Sequence, residues 1–322
     1  MRRVTGLFLT VLGIILIAGA ILLPTYVSGQ IVKFPLNEST TATLAGTGVS
    51  YFSQTKLTEK TGVSVRATYT IKGDPAAGSD STAVWNQTAS VQDVTNNLPV
   101  STQTRRFAFD RHTAVLVNCC GANVNGNASV RQTGYSGVVF PFGLQKQTYQ
   151  VFNTTLNRPL PFAYAGTATV DGIATYEFVE NVPATQFTTQ EVPGSMLGTK
   201  AAAVRAPLFD QEHVINYVDP ETGALLNVNE HQTVTLHNPA TGAQALVLYD
   251  ADLTVTPASL SQVVALDSSG RSEITLAETT LPLVSGIVGG VALLAGAFLG
   301  LRGRKRRDDA PALAGVAQGT DR

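Results

Sequence analysis

Two uncharged apolar runs lie near the ends of the chain, and a more polar, alternating pattern fills the region between them. The second run, residues 283–301, is mostly Leu, Val, Ala and Gly, and five basic residues follow it within residues 302–307. Twenty helical residues at a rise of about 1.5 Å each cover the roughly 30 Å hydrocarbon core of a bilayer. The pattern predicts a transmembrane helix over residues 281–301.

The first apolar run, residues 7–23, follows Arg2 and Arg3 and ends at Pro24. It is either a retained signal-anchor or a cleaved secretory signal. The run is longer than the apolar region of an ordinary signal, and residues 27–29 make a poor cleavage site. These features favour a signal-anchor, and so a first transmembrane helix.

Basic residues next to both apolar runs set the expected topology, because Lys and Arg accumulate on the cytoplasmic side. Residues 1–6 and the basic tail 302–322 are expected in the cytoplasm, and the tail is short and polar enough to be disordered. Residues 24–280 then form the extracytoplasmic domain of a double-pass protein of the plasma (inner) membrane.

Small residues recur along one side of each predicted helix. Such residues allow transmembrane helices to approach closely, either within one chain or between copies, although glycine is also simply common in these helices. The positions are Gly6, Gly13 and Ala20 in the first helix and Gly286, Gly290, Gly296 and Gly300 in the second.

The region between the helices is predicted to be mainly β and antiparallel, α+β at most. Stretches rich in Thr, Val and Tyr, such as residues 63–71 and 84–94, end at turn residues. Asp171-Gly172 lies between two such stretches and predicts a type I′ hairpin. Two short helices are expected over residues 258–266 and 271–279, before the second span.

A weak internal similarity relates residues 109–118 to residues 218–227. Each segment has an Asp that can cap a turn, then a Thr, then an apolar stretch that ends in Asn. The similarity either reflects two related β-turn-β units or arises by chance in a Thr- and Val-rich chain.

Charge is distributed unevenly along the chain. Residues 24–301 contain 14 basic and 20 acidic residues, whereas the flanks contain 8 basic and 3 acidic residues. A mildly acidic middle argues against nucleic-acid binding. Membrane orientation explains the basic flanks.

Cys119 and Cys120 are the two cysteines of the chain, and they are adjacent. In an oxidising compartment they are predicted to form a vicinal disulfide with a structural role. Two free thiols or bridges to another chain are the alternatives. The CxxC spacing of redox catalysts is missing.

Aromatic residues are concentrated within residues 140–164, beside several prolines. They line either an apolar ligand surface or the core of the domain. The six are Phe140, Phe142, Tyr149, Phe152, Phe162 and Tyr164.

No arrangement of nucleophile, acid and base is recognisable, so the chain is not expected to be an enzyme or to carry a cofactor. His213, His231 and His237, considered with Glu212 and Glu230, match no standard metal-site spacing. The histidines are predicted to be isolated surface or turn residues.

Several short motifs together resemble the actinobacterial envelope family catalogued as DUF3068 and labelled "porin PorA family". They are Lys33-Phe34-Pro35-Leu36, Asp110-Arg111 before Cys119-Cys120, Phe140-Pro141-Phe142-Gly143, Lys146-Gln147-Thr148-Tyr149, Val192-Pro193-Gly194 and Val218-Asp219-Pro220-Glu221-Thr222-Gly223. The resemblance covers nearly the whole chain and implies an envelope protein, without catalytic residues.

The sequence pattern does not favour a transmembrane β-barrel, which needs strands of about ten residues with an apolar outer face. The predicted strands are short and polar, and aromatic residues are 7% of the chain. The leading hypothesis is a non-enzymatic envelope protein that binds or transfers a lipid or cell-wall component, or scaffolds envelope partners. The alternative is the pore that the family label implies.

Overall fold

A computed structural model of the protein describes residues 2–22, 32–54 and 56–308. The described residues form two compact units. One is Lys33–Arg271, and the other combines parts of Met1–Val32 and Ser272–Arg322.

The first unit is built on one antiparallel sheet of long strands. The strands are β1 (Ser39–Ser53), β2 (Thr58–Gly73), β3 (Thr82–Asp93), β4 (Leu98–Asp110), β5 (Leu116–Val117), β6 (Asn123–Val124), β7 (Tyr149–Asn153), β8 (Arg158–Val170), β9 (Ile173–Val192), β10 (Val204–Val218), β11 (Leu225–His237) and β12 (Gln244–Val255). Their order is β5-β4-β3-β2-β1-β12-β11-β10-β9-β8-β7, with β6 paired to β4. A mainly antiparallel β fold is therefore confirmed.

Most strands are longer than the sequence indicated. β9 has 20 residues and β2 has 16, so the expectation of short strands was wrong. In the sequence, the polar residues within these strands resemble turn residues that would end a strand. They lie instead on the outward face of the sheet, because successive side chains of a strand point to opposite faces. The predicted hairpin is confirmed, because β8 ends before Asp171-Gly172 and both residues have positive φ (47° and 84°).

The sheet curls until its two edges meet at one end. Tyr135 pairs antiparallel with Val115, beside the edge strand β5, and parallel with Val151 of the opposite edge strand β7. The amide of Tyr135 donates to the Gln150 carbonyl (2.8 Å), and the amide of Phe152 donates to the Tyr135 carbonyl (2.9 Å). One extended residue therefore joins both edges.

The two segments with similar sequence fold into turns with the same hydrogen bonds. The amide of Ala114 donates to the Asp110 carbonyl, as that of Gly223 donates to Asp219. Both Asp side chains also accept a backbone amide two residues ahead, from His112 and from Glu221. The similarity therefore corresponds to two related β-turn-β units.

The helices are α1 (Arg2–Leu22), α2 (Pro257–Thr275) and α3 (Leu281–Asp308), with a π-helical turn at Leu276–Thr280 and a 3-10 turn at Gly194–Leu197. The two short helices expected over residues 258–266 and 271–279 are not separate, because α2 is continuous through residues 267–270 and leads directly into the π-helical turn. Helical geometry also continues to Asp308, into the predicted disordered tail. Residues 309–322 of that tail lie outside the described residues.

Helices α1 and α3 pack through small residues. A Cβ added at Gly13 would lie 2.7 Å from the Gly289 carbonyl oxygen, and one at Gly286 would lie 3.6 Å from Cβ of Ala20. A Cβ at Gly290 would meet nothing within 4 Å. Gly289, which the sequence analysis did not single out, is therefore the closest point.

The other glycines of the predicted stripe are less informative. Gly296 is buried. Gly6 and Gly300 lie where side-chain surroundings are not described.

One described helical stretch, within Pro257–Leu299, is long and apolar enough to cross a membrane, and Leu7–Leu22 is a shorter apolar helix. Large apolar side chains on both remain exposed, including Phe8, Leu283 and Leu294. Exposed apolar surface of this kind is typical of contact with lipid or with another apolar surface.

Candidate functional site: an acidic interior

Four carboxylates face the inside of the curled sheet; they are called the acidic interior here and are Glu180, Asp210, Glu212 and Glu230. Along β10, Asp210 and Glu212 alternate with outward residues and share the inward face with buried Val214. Val214 pairs with Glu180 on β9 and with Glu230 on β11, and directly opposed residues point to one side. Three neighbouring strands thus direct acids inward.

Apolar side chains lie on both sides of the acidic interior along β10. Leu208 and Ala206 belong to one buried cluster, and Val214 and Val218 belong to another. The acids are therefore a polar layer between apolar layers, where ionised groups are costly unless they are solvated or paired.

Amide side chains are the hydrogen-bonding partners of the acids. Asn153 of β7 donates to Oε2 of Glu212 at 2.7 Å, and Gln232 donates to Oδ1 of Asp210 at 2.9 Å. Oδ2 of Asp210 and Oε1 of Glu180 are buried and have no protein partner among the described residues. Buried acceptors without partners indicate a place where water or a ligand completes the hydrogen bonding.

Burial raises the pKa values of all four acids, and repulsion by neighbouring acids adds to this effect at Glu180, Glu212 and Glu230. Burial, followed by the charges of its three neighbours, raises the pKa of Glu212 to about 9. Burial also raises the pKa of Glu180 and of Glu230 to about 7, and that of Asp210 to about 6. The negative charge of Glu230 raises the pKa of Tyr69 as well. At neutral pH the layer is partly protonated and still negative.

The layer has no basic counterpart within the described structure. No salt bridge between described residues reaches any of the four acids. The buried Arg105 of β4 instead donates to Gln132 Oε1 (2.7 Å) and to the Ser136 carbonyl (2.8 Å), and stacks over Phe107. The negative charge of the acids is therefore neutralised by protonation, solvated by water or balanced by an entering cation.

The interior next to the acids is not fully packed. Glu212, Glu230 and Gln232 point inward but are half-buried rather than buried. Accessible surface on inward side chains means that they border space wide enough for water. The arrangement can hold or attract small cationic solutes.

The exposed large side chains on the outer face of the long strands are polar, whereas the outward Phe209, Ile215 and Tyr217 of β10 are half-buried. Exposed large apolar side chains of this unit are, among the described residues, Leu57, Val94, Val115 and Leu266, and none lies within a long strand. Exposed strand positions carry residues such as Arg66, Gln211 and Asp252. A lipid-facing band of apolar residues with aromatic girdles is therefore absent from the described strands.

The aromatic segment that the sequence singled out is mostly core. Phe140, Tyr149, Phe152 and Phe162 are buried. Phe140 stacks on Phe178 at 5.9 Å between ring centroids. The other two are half-buried, with Phe142 against Phe34 and Tyr164 against Phe178. The set therefore fills the inside of the fold and offers little apolar surface.

Cys119 and Cys120 are bonded to each other in an exposed turn beyond β5. Cys120 has a φ of 60° and Gly121 one of 79°. The Cys120 carbonyl accepts a 2.9 Å hydrogen bond from Nε of Arg106. The turn is thus exposed and attached to β4.

Two of the histidines are not isolated, contrary to the sequence-based prediction. His213 of β10 and His231 of β11 are direct register partners on the outward face. His237 lies against Phe209, at 4.2 Å between ring centroids. No described group of three or more His, Cys, Asp or Glu is already arranged to hold a metal.

Sequence reasoning missed the acidic interior, although one local signal was available. Asp210 and Glu212 share the odd-even phase of Leu208 and Val214, so in a strand all four must face one side. Because Leu208 and Val214 are apolar and expected to face the core, the shared spacing indicates that Asp210 and Glu212 also point inward. Their convergence with Glu180 and Glu230 depends on strand register.

The fold and the site together define a class: a protein with apolar helices and a curled, mainly antiparallel sheet that directs acids inward. A family model described as Porin PorA matches residues 5–298. The chain belongs to the Porin PorA family, which confirms the resemblance seen in the sequence. A comparison with curated proteins returns no match.

Proposed function

We propose that this protein is a non-enzymatic, membrane-anchored member of its family with a porin-like role, in which the acidic interior admits small cations. The carrying observation is the set of four inward carboxylates without a basic partner among the described residues. A negative, low-dielectric cleft concentrates cations and repels anions, so it acts as a charge filter.

In this proposal the helices anchor the protein in the plasma membrane. Residues 7–23 and 281–301 cross it, both termini are cytoplasmic, and the sheet lies outside the cell membrane. The basic residues 302–307 support this orientation, and exposed apolar side chains on α1 and α3 support lipid contact.

The sheet itself is proposed to work in water rather than within the bilayer. Its exposed outward positions include charged and polar residues such as Arg66, Gln211 and Asp252, and placing these against lipid is costly. The sheet therefore serves as an entry chamber that selects solutes by charge.

Binding of a lipid and scaffolding of partners are not supported. The aromatic residues expected to form an apolar surface, such as Phe140 and Tyr149, are packed inside the sheet. The inward polar layer is poorly suited to an acyl chain, because burying unpaired carboxylates against hydrocarbon is unfavourable.

The test is the reversal potential of the full-length protein in planar bilayers under a KCl gradient. The proposal expects channels with a preference for K⁺ over Cl⁻. In recordings at about pH 10, where both wild-type carboxyls are ionised, that preference should decline in the variant Glu212→Gln with Glu230→Gln, because two negative charges are replaced by neutral amides of similar shape. Glu191→Gln, at an exposed position of β9, is the matched control and should leave selectivity unchanged. If the intact, folded protein forms no channels in the bilayer, the proposed porin-like role is wrong.

A further inference from the structure

Helix α2 contacts the turn between β10 and β11 through two buried carboxyls. Asp219 lies in that turn and is fully buried, and Asp267 lies on α2 and is 5% exposed. Asp267 faces the turn, because its Oδ1 accepts a hydrogen bond from the Thr222 hydroxyl. A Cβ added at Gly270, one helical turn further on, would lie 3.9 Å from Cγ2 of the same threonine. This side of α2 therefore rests on the turn.

The oxygen atoms of Asp219 already have partners, whereas Asp267 has a free oxygen. Oδ1 of Asp219 accepts the Glu221 amide at 2.7 Å, and Oδ2 accepts Nη1 of Arg271 at 2.7 Å. Oδ2 of Asp267 is buried and has no donor among the residues that the structure describes. Two ionised carboxylates offer acceptors and no donor, so a direct bond between Asp267 and Asp219 needs a proton.

The positive charge at this contact is already shared. Arg271 pairs with Asp219 at 2.7 Å and with Glu221 at 3.0 Å. Burial is the largest cause that raises the pKa of Asp267, and the hydrogen bond and negative charge of Asp219 add to it. The Thr222 hydroxyl and the Arg271 charge oppose this rise without cancelling it. Asp267 therefore favours its protonated form more than an ordinary aspartic acid does.

We propose that Asp219 and Asp267 bind one proton between them, and that this proton holds helix α2 on the β10–β11 turn. Two carboxyls in contact hold a proton more tightly than a solvated carboxyl does, because their negative charges repel each other. Loss of the proton leaves an uncompensated buried charge, which favours opening of the contact. Helix α2 leads through the π-helical turn into α3. The proton therefore acts on the segment that joins the sheet to the apolar helix.

The direction of the pH dependence follows from this arrangement. In the open contact, Asp267 is solvated and titrates near the ordinary carboxyl value of about 4. The closed contact binds the proton more tightly, so its stabilisation is fully present below about pH 4 and is lost as the pH rises through the raised pKa. Residues 139–144, which hydrogen-bond to the same turn, have no titratable side chain that would alter this balance.

The test is hydrogen–deuterium exchange of the full-length protein in detergent at pH 5 and pH 8. Each rate is divided by that of an unstructured peptide at the same pH. The amides of residues 263–270 should open at least about tenfold more often at pH 8, because each pH unit between the open and closed pKa values of Asp267 changes the opening equilibrium by up to about tenfold. Equal opening at the two pH values would overturn the proposal.

Asp267→Asn should keep the contact closed at both pH values. Its side-chain amide can donate to Asp219, and its oxygen can still accept from Thr222. The matched control is Glu273→Gln, at an exposed position of the same helix, which should retain the pH dependence of the wild type.

Undiminished pH dependence in Asp267→Asn would also overturn the proposal, since the opening would then follow acids elsewhere, such as Glu212 of the acidic interior. Exchange is measured in detergent, so the result does not depend on whether the protein conducts ions.

Discussion

The side-chain amide of Asn153 donates a 2.7 Å hydrogen bond to Oε2 of Glu212, and this bond crosses the interior of the sheet. Asn153 is on β7 and Glu212 is on β10, with β8 and β9 between them. Neighbouring strands are spaced by about 4.8 Å, so a flat sheet would hold the two residues roughly 14 Å apart. The bond exists because the sheet curls. The curl of the sheet brings Asn153 to Glu212, and the hydrogen bond between them in turn stabilises the curl.

Stability should rise as the pH falls from about 9 to about 5. The folded-state pKa values of Glu180, Glu212 and Glu230 lie above their ordinary values, so the folded protein binds more protons than the unfolded chain across this window. Their contribution is fully present below the ordinary carboxyl pKa and is lost as pH rises through the raised values.

Glu212→Gln should therefore flatten this dependence. At pH 8 the variant should be more stable than the wild type by about 1–3 kcal/mol, because on folding the wild-type Glu212 carboxyl must take up a proton that it does not bind in the unfolded chain at that pH. Thermal unfolding at several pH values measures both effects. An unchanged slope in this variant would show that Glu212 titrates as an ordinary acid.

Gly13→Leu should separate α1 from α3. The new side chain has no room, since a Cβ alone would approach the Gly289 carbonyl to 2.7 Å. With cysteines introduced at Ala20 and Gly286, cross-linking should slow by about tenfold, as expected for the loss of roughly 1–2 kcal/mol of helix association. Gly290→Leu is the control, because a Cβ added at Gly290 would meet no atom within 4 Å. Equal cross-linking in both variants would contradict the packing.

Gly223→Ala should destabilise the sheet unit more than Gly242→Ala. Both glycines have a left-handed backbone, with φ of 71° and 72°, so both variants lose about 1–2 kcal/mol to backbone strain. Only at Gly223 does the added Cβ also overlap the Phe140 carbonyl oxygen. That overlap should lower the free energy of unfolding by a further amount of about 1–3 kcal/mol. Chemical denaturation of the two variants measures the difference, and equal losses would refute it.

Arg271→Ala should weaken the attachment of α2 to the β10–β11 turn. Nη1 of Arg271 lies 2.7 Å from Asp219, whose side chain is fully buried, and Nη2 lies 3.0 Å from Glu221. Leaving Asp219 without its cation should cost about 1–3 kcal/mol. Thermal unfolding provides the measurement. Arg205→Ala, at an exposed position without an ion pair to the residues that the structure describes, should cost little; a similar loss there would mean that the ion pair is not the cause.

Local features of the fold were predictable from the sequence. The Asp171-Gly172 turn was found because a positive φ at two consecutive positions needs these residue types. The β character of residues 63–71 and 84–94 was found because β-branched residues recur there; the first segment lies in β2, and the second lies in β3 up to its last residue, Asp93. Strand lengths were underestimated, because polar outward residues resemble loops when only one face of the sheet is buried.

The acidic interior and the histidine pair depend on register between strands that are distant along the chain. Nothing local indicates that His213 faces His231 or that Glu180 and Glu230 flank Val214. A shift of one residue would move each of these side chains to the other face. The closest helix contact, at Gly289, likewise depends on the rotation of α3 about its axis.

The most direct test of a cation-accessible interior is the titration of the Glu212 carboxyl, followed by carbon NMR in two salts of equal ionic strength. One salt supplies K⁺, and the other supplies tetrabutylammonium, which is too bulky to enter a space between side chains. Glu191, which is exposed, serves as the internal reference. A cation next to a carboxylate lowers its pKa. The account predicts a lower pKa of Glu212 in K⁺ than in tetrabutylammonium, with no difference at Glu191. Identical titration of Glu212 in the two salts would contradict it.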